Sequence, residues 1–107
     1  MRVSYRAIAA GVLALGFCGN AFALQNFIGR VKSVEVTYMP DSVKFTMDAG
    51  NATCPAGSIL TWRNSNLENN KAIYAALTGA LVGGYRVNLY INDNDQTCLG
   101  RYMHLSQ

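Results

Sequence analysis

Side chains able to do acid/base or nucleophilic chemistry are sparse in this chain of 107 residues, and none stands in a catalytic arrangement. His104 is the only histidine, and no local residue supplies the nucleophile or orienting acid that a general base needs. It reads as a histidine on a surface or edge strand. The six carboxylates are dispersed, with no pair of the kind that acid/base hydrolysis uses, and Ser58 and Ser65 lie in no nucleophile-elbow context. Asp93-Asn94-Asp95 offers oxygen atoms of the type calcium takes. It lacks the glycine and distal glutamate of an EF-hand loop, and short Asn/Asp runs are common in tight turns. Asn51-Ala52-Thr53 matches a glycosylation sequon, a pattern of low specificity. These readings point away from an enzyme and give no reason to expect a metal or other cofactor.

Chemistry of recognition is better represented. Trp62, Tyr85, Tyr90 and Tyr102 lie near Arg63, Arg86 and Asn88, and exposed aromatic faces beside amides and guanidinium groups hold sugar rings and bases by stacking and hydrogen bonds. The competing reading puts Trp62 and half of the tyrosines in a core short of large residues. The candidate ligand-binding residues are Trp62, Arg63, Arg86, Asn88 and Tyr90. Cys54 and Cys98 form an even pair once Cys18 is set aside, and in an oxidising compartment such a pair is expected to close one structural disulfide. A redox pair is the alternative, but the two cysteines are far apart in sequence and stand in no C-x-x-C motif.

The compartment is read from the first 23 residues. Arg2 and Arg6 give a basic start, Ala7 to Phe17 is an uncharged apolar run, and Ala21-Phe22-Ala23 puts small residues where a signal peptidase reads. A membrane anchor needs about 20 apolar residues, and Gly16, Gly19 and Asn20 interrupt this run. A lipid anchor on Cys18 would follow Phe17 rather than a small residue. The expected product is an exported domain, periplasmic or secreted, of residues 24–107 with no membrane insertion after cleavage. Its charge falls from +3 to +1, because two of the nine basic residues leave and all six acidic ones stay. The basic residues that remain are scattered singly, so no nucleic-acid partner is implied.

The elements that must position these residues follow from periodicity. Phe27 to Tyr38 alternates with a change of phase: Phe27, Gly29 and Val31 on one side of it, then Val34, Val36 and Tyr38. A bulge near Lys32-Ser33 reconciles the two halves and bends the strand as a small barrel requires. Met39-Pro40-Asp41-Ser42 is turn chemistry, so the second strand, Val43 to Asp48, returns with Val43, Phe45 and Met47 inward. A third strand spans Ile59 to Arg63 with Leu60 and Trp62 on one face. The period then changes to that of a helix from Lys71 to Val82, capped by Asn69 or Asn70, with Ile73, Leu77 and Leu81 on one face and Gly83-Gly84 at its end. Nearly apolar all round, this helix is expected to be buried on more than one side, as a barrel cap or against a copy of itself. Tyr85 to Ile91 forms a fourth strand with Val87, Leu89 and Ile91 inward, and Arg101 to Leu105 a fifth. The predicted fold class is mainly β with one helix, in the order β-β-β-α-β-β of a small five-stranded oligonucleotide/oligosaccharide-binding (OB) barrel.

The passages Lys71-Ala72-Ile73-Tyr74-Ala75-Ala76-Leu77 and Gly83-Gly84-Tyr85-Arg86-Val87-Asn88-Leu89-Tyr90 resemble the B subunits of bacterial toxins, the subtilase cytotoxin B subunits in particular. The likeness consists of a helix with its tyrosine, a glycine break and a basic-aromatic strand, and it covers the C-terminal half. It implies a secreted OB barrel, a homo-oligomeric ring of five joined through edge strands and central helices, and recognition of cell-surface glycans. Without it, the residues point to a non-enzymatic binding module for a glycan or a protein. A periplasmic structural or inhibitory protein acting through protein contacts is the alternative.

Overall fold

The computed structural model describes residues 23–107; all but the last residue of the expected export signal lies outside them. Five strands and one helix follow in the order β1 (Leu24–Glu35), β2 (Val43–Met47), β3 (Leu60–Trp62), α1 (Leu67–Gly83), β4 (Arg86–Asn92) and β5 (Gly100–Ser106). The strands form one antiparallel sheet, ordered β3-β2-β1-β4-β5, which curls into a half-barrel. Its two ends meet through a parallel bridge between Thr61 and Leu99, with the Thr61 N–H donating to the Cys98 carbonyl at 3.0 Å. This is the five-stranded, OB-like plan expected from the sequence. Among the described residues no helix is long and apolar enough to cross a membrane.

The bend in β1 is where the change of phase puts it. Leu24–Arg30 pairs with β4, Val31–Glu35 pairs with β2, and the register shifts between Val31 and Ser33, leaving Lys32 as the extra residue. Phe27 and Val31 are buried and Val34 packs against the core from the second half. Val36 and Tyr38, expected inward, are instead 52% and 50% exposed. Pairing stops at Glu35 because the chain has already begun to turn: Met39 N–H donates to the Val36 carbonyl, and Asp41 and Ser42 N–H to that of Tyr38. Met39 takes the place at the core that Tyr38 leaves.

Strict alternation builds the interior. Val43, Phe45 and Met47 of β2, Leu60 and Trp62 of β3, and Val87, Leu89 and Ile91 of β4 are all buried. Gly100, at the start of β5, is held by close approach, since a Cβ there would lie 2.7 Å from Cε3 of Trp62. The Cys54–Cys98 disulfide forms, with Cα atoms 6.0 Å apart, and ties the loop after β2 to the loop before β5. In that second loop Asn94 takes φ 60°, and the Asp95 carboxylate accepts from the Thr97 hydroxyl and N–H and from the Leu99 N–H. The Asp93-Asn94-Asp95 run is thus a hydrogen-bonded turn. The Asn51 amide is likewise engaged, accepting from the Cys54 N–H at 2.7 Å and donating to Gln25 at 3.0 Å.

Helix α1 begins four residues before the expected start. Asn66 is its cap, accepting from the Glu68 and Asn69 N–H groups, while Asn69 and Asn70 lie inside the first turns with other tasks. The Asn69 side-chain oxygen accepts the Trp62 indole N–H at 2.9 Å. Asn70 is fully buried: its NH2 lies 2.9 Å from the carbonyls of Pro40, Asp41 and Asn64, and its oxygen accepts the Asn64 N–H at 2.8 Å. Gly84 ends the helix at φ 69°, its N–H on the Ala80 carbonyl.

Within this chain the helix buries one side. Asn70, Ile73, Tyr74, Leu77 and Ala80 turn to the barrel, while Leu81 is half-exposed and Val82 is 84% exposed. A spacing of four residues outruns the 3.6-residue turn by about 40° per step, so the Ile73-Leu77-Leu81 row winds off the buried stripe. Ala80 takes the inner place instead.

Candidate recognition face

Because Val87, Leu89 and Ile91 point into the barrel, Arg86, Asn88, Tyr90 and Asn92 must point out. The register of the neighbouring strands then sets what lies beside them. One row across the sheet is Asn26, Tyr90 and Tyr102; the next is Ile28, Asn88 and His104; the third is Arg30, Arg86 and Ser106. The outer surface of β1-β4-β5 is therefore graded: aromatic at one end, amide in the middle and cationic at the other.

Contacts within the face fix its geometry. Tyr102 stands edge-on to Tyr90, with ring centroids 6.4 Å apart and planes at 83°, and His104 lies 5.5 Å from the Tyr90 ring. Edge-to-face pairs at this separation are attractive and hold each ring in place. With Leu24 the three rings line a shallow hollow of about 140 Å³. In the middle, Asn26 donates to the Asn88 side-chain oxygen at 3.0 Å and Asn88 donates to the Tyr90 hydroxyl at 3.3 Å. At the far end Ile28, Gly29, Arg30, Asp48 and Arg86 surround an open hollow of about 480 Å³. A rigid sheet carrying ring faces, ordered amides and free guanidinium groups is suited to stacking on a ligand and hydrogen-bonding its hydroxyls. It holds no nucleophile paired with a base.

The structure separates the expected site residues into two groups. Arg86, Asn88 and Tyr90 share the face, where they are joined by Asn26, Ile28, Arg30, Tyr102 and His104. Trp62 is in the core, 7% exposed, with its indole N–H given to Asn69 and its ring against Gly100. Arg63 is exposed after β3 and pairs with Asp41 of the β1–β2 turn at 3.4 Å. The β1 contribution is what sequence reasoning missed. Inward Phe27, Gly29 and Val31 already imply outward Asn26, Ile28 and Arg30, but only the pairing of β1 with β4, 62 residues apart at Asn26–Asn88, brings them beside the others.

A further hollow of about 360 Å³ lies on the opposite half of the sheet, along Ser33, Glu35, Lys44, Thr46 and Ile59. Its polar groups are largely used internally: the Ser33 and Thr46 hydroxyls meet at 2.6 Å, Lys44 donates to Thr61 at 3.3 Å, and the Lys44 ammonium sits 5.7 Å over the Tyr38 ring. Comparison with protein-family models, with curated proteins and with solved structures finds no match.

Proposed function

We propose that this protein is an exported, non-enzymatic binding module that recognises a saccharide through the outer face of β1-β4-β5. The observation that carries the reading is the row of Tyr90, Tyr102 and His104 continuing into the Asn26–Asn88 amide pair, all on paired strands rather than mobile loops. Sugar rings present an apolar C–H face and a rim of hydroxyls, which such a row matches by stacking and by directed hydrogen bonds. The buried disulfide supports export, since such bonds persist in oxidising compartments. The likeness of the C-terminal half to toxin B subunits points the same way and adds a ring of subunits to the proposal. Native mass of the purified oxidised protein tests the ring, and a monomer removes it.

The recognition itself is tested on a glycan array. Binding by the native protein that falls at least tenfold in Tyr90→Ala and in Tyr102→Ala, with both variants still cooperatively folded, is the expected result. Tyr102 is more than half exposed, so its removal leaves the core intact. Unchanged binding in Tyr102→Ala would place the ligand elsewhere.

A second reading, a periplasmic structural or inhibitory protein acting through protein contacts, draws on one other surface. Leu81, Val82, Tyr85 and Leu105 expose apolar area around the end of α1, and Tyr85 and Leu105 line a hollow of about 260 Å³ with Ser106 and Gln107. Capture of a partner from envelope extract that is lost in Val82→Lys, together with a blank array, would favour it.

A further inference from the structure

Arg30 and Arg86 are direct cross-strand partners at the end of the β1–β4 ladder, on the outer face. Side chains in such positions start roughly 4.5–5.5 Å apart at Cβ, and like charges directly opposite destabilise a sheet. Among the described residues Arg63 pairs with Asp41 and Lys71 with Glu68, whereas neither Arg30 nor Arg86 has an ion-pair partner, and of the cross-strand pairs in the sheet only theirs opposes like charges. Asp48 lines the same hollow, but its Oδ1 accepts the Arg30 backbone N–H at 2.7 Å rather than a guanidinium. The hollow thus holds two guanidinium groups and one committed carboxylate, which leaves it cationic.

We infer that the Arg30–Arg86 pair is an anion subsite of the recognition face, and that the ligand is an acidic polysaccharide whose carboxylate or sulfate groups reach it while its rings lie on Tyr90 and Tyr102. The inference rests on the saccharide reading above and gives that ligand a charge. Guanidinium forks pair bidentately with planar carboxylates and with sulfate oxygens, and a bound anion removes the repulsion that the empty pair carries. Arg86 is four residues along the strand from Tyr90, roughly 13 Å at the usual rise. More than one sugar unit must cover that distance, so the ligand is an oligomer. A single-stranded nucleic acid also combines rings with negative charge, but it brings a phosphate at every step and calls for a cationic track along its whole path. Here the two facing arginines stand together at one end, and the middle of the face carries the Asn26–Asn88 amide pair.

The test is a binding titration of the purified oxidised protein with four probes: polygalacturonate oligomers, dextran sulfate, neutral dextran and oligo-dT. Native protein is compared with Arg30→Gln, Arg86→Gln, the double variant, and Lys71→Gln as a charge-matched change on the outer side of α1. The expected result is a preference for an acidic saccharide polymer over neutral dextran of at least tenfold, abolished in the double variant and kept in Lys71→Gln. Tighter binding of polygalacturonate than of dextran sulfate assigns the anion as carboxylate, and the reverse order as sulfate. Equal losses in Lys71→Gln and in each single arginine variant would reduce the effect to general polyelectrolyte attraction and overturn the subsite. Saccharide binding with no acidic preference would overturn the subsite and leave the saccharide reading standing. Failure of every saccharide, here and on the array, would remove both. Tight oligo-dT binding that disappears in the double variant would reassign the ligand as nucleic acid.

Discussion

The two halves of the curled sheet treat their outer surfaces differently. On the half made by β2, β3 and the end of β1, polar side chains find partners within the chain: Ser33 with Thr46, Lys44 with Thr61 and the Tyr38 ring, and Arg63 with Asp41. On the half made by β4, β5 and the start of β1, the amides and rings meet one another, but two like charges oppose each other with no ion-pair partner among the described residues, and Tyr102 is more than half exposed. A surface that satisfies itself contributes to folding. One that leaves strong donors and flat faces unused is suited to a ligand, and the unrelieved Arg30–Arg86 repulsion is a small cost to stability on that side.

The largest expected effect concerns what joins the halves. Cys54 belongs to the loop leaving β2 and Cys98 to the loop entering β5, and closing 44 residues contributes about 3–4 kcal/mol in the chain-entropy model. Reduction, or Cys54→Ala with Cys98→Ala, should lower the unfolding free energy extrapolated from urea titration by an amount of that order. Free thiols in the native protein with an unchanged midpoint would show that the halves hold together without the bond. The next effect is confined to the self-satisfied side. Asn70→Leu removes the buried amide that bonds the Asn64 N–H and the Pro40 and Asp41 carbonyls, and should cost roughly 1–3 kcal/mol, the usual penalty for leaving a buried polar group without its partner. The variant should unfold earlier in urea yet bind ligand normally wherever it remains folded. A loss of affinity equal to that of Tyr90→Ala would break the division between halves.

Acid supplies a milder probe of the loop that carries Cys98. The Thr97 hydroxyl and the N–H groups of Thr97 and Leu99 hold the Asp95 carboxyl below its ordinary value of 3.8, helped slightly by the charge of Arg101 and opposed by partial burial. A depressed carboxyl stabilises the fold above its unfolded value and loses that contribution as pH falls through the folded one. The melting temperature of the native protein should therefore decline below about pH 4 more steeply than that of Asp95→Asn. Parallel curves would mean that this carboxylate does not hold the loop. The smallest effect sharpens the comparison most directly. Arg86→Gln relieves the like-charge pair and should raise stability by about 0.2–0.5 kcal/mol at low salt, with the gain fading as salt screens it. Destabilisation by the same change would show that the two arginines are not in conflict.

Local signals carried much of the architecture into the sequence. Alternation along Val43-Phe45-Met47 and Val87-Leu89-Ile91 placed β2 and β4 and their inner faces, a change of phase located the bulge at Lys32, and Gly84 marked the end of the helix. The helix start was obscured because Asn64, Asn66, Asn69 and Asn70 all suit a cap, and which of them caps depends on the buried bonds Asn70 makes to a turn some 30 residues away. The recognition face was half legible. Outward Arg86, Asn88 and Tyr90 follow from the pattern of one strand, whereas Arg30 joins them only through long-range pairing. Trp62 shows the converse: its spacing from Leu60 fits a core strand as well as a stacking platform, and its partners, Asn69 and Gly100, lie beyond loops that no local pattern spans.

Gly100 beneath the Trp62 ring has a practical consequence. The chain holds a single tryptophan, and the structure seats it where β3 comes round to meet β5. Its emission is thus an optical gauge of the seam: a red shift should accompany any parting of Thr61 from Leu99 before the remaining strands give way. Comparing that signal with far-ultraviolet dichroism during unfolding would tell whether this small cylinder unzips from its join or melts all at once.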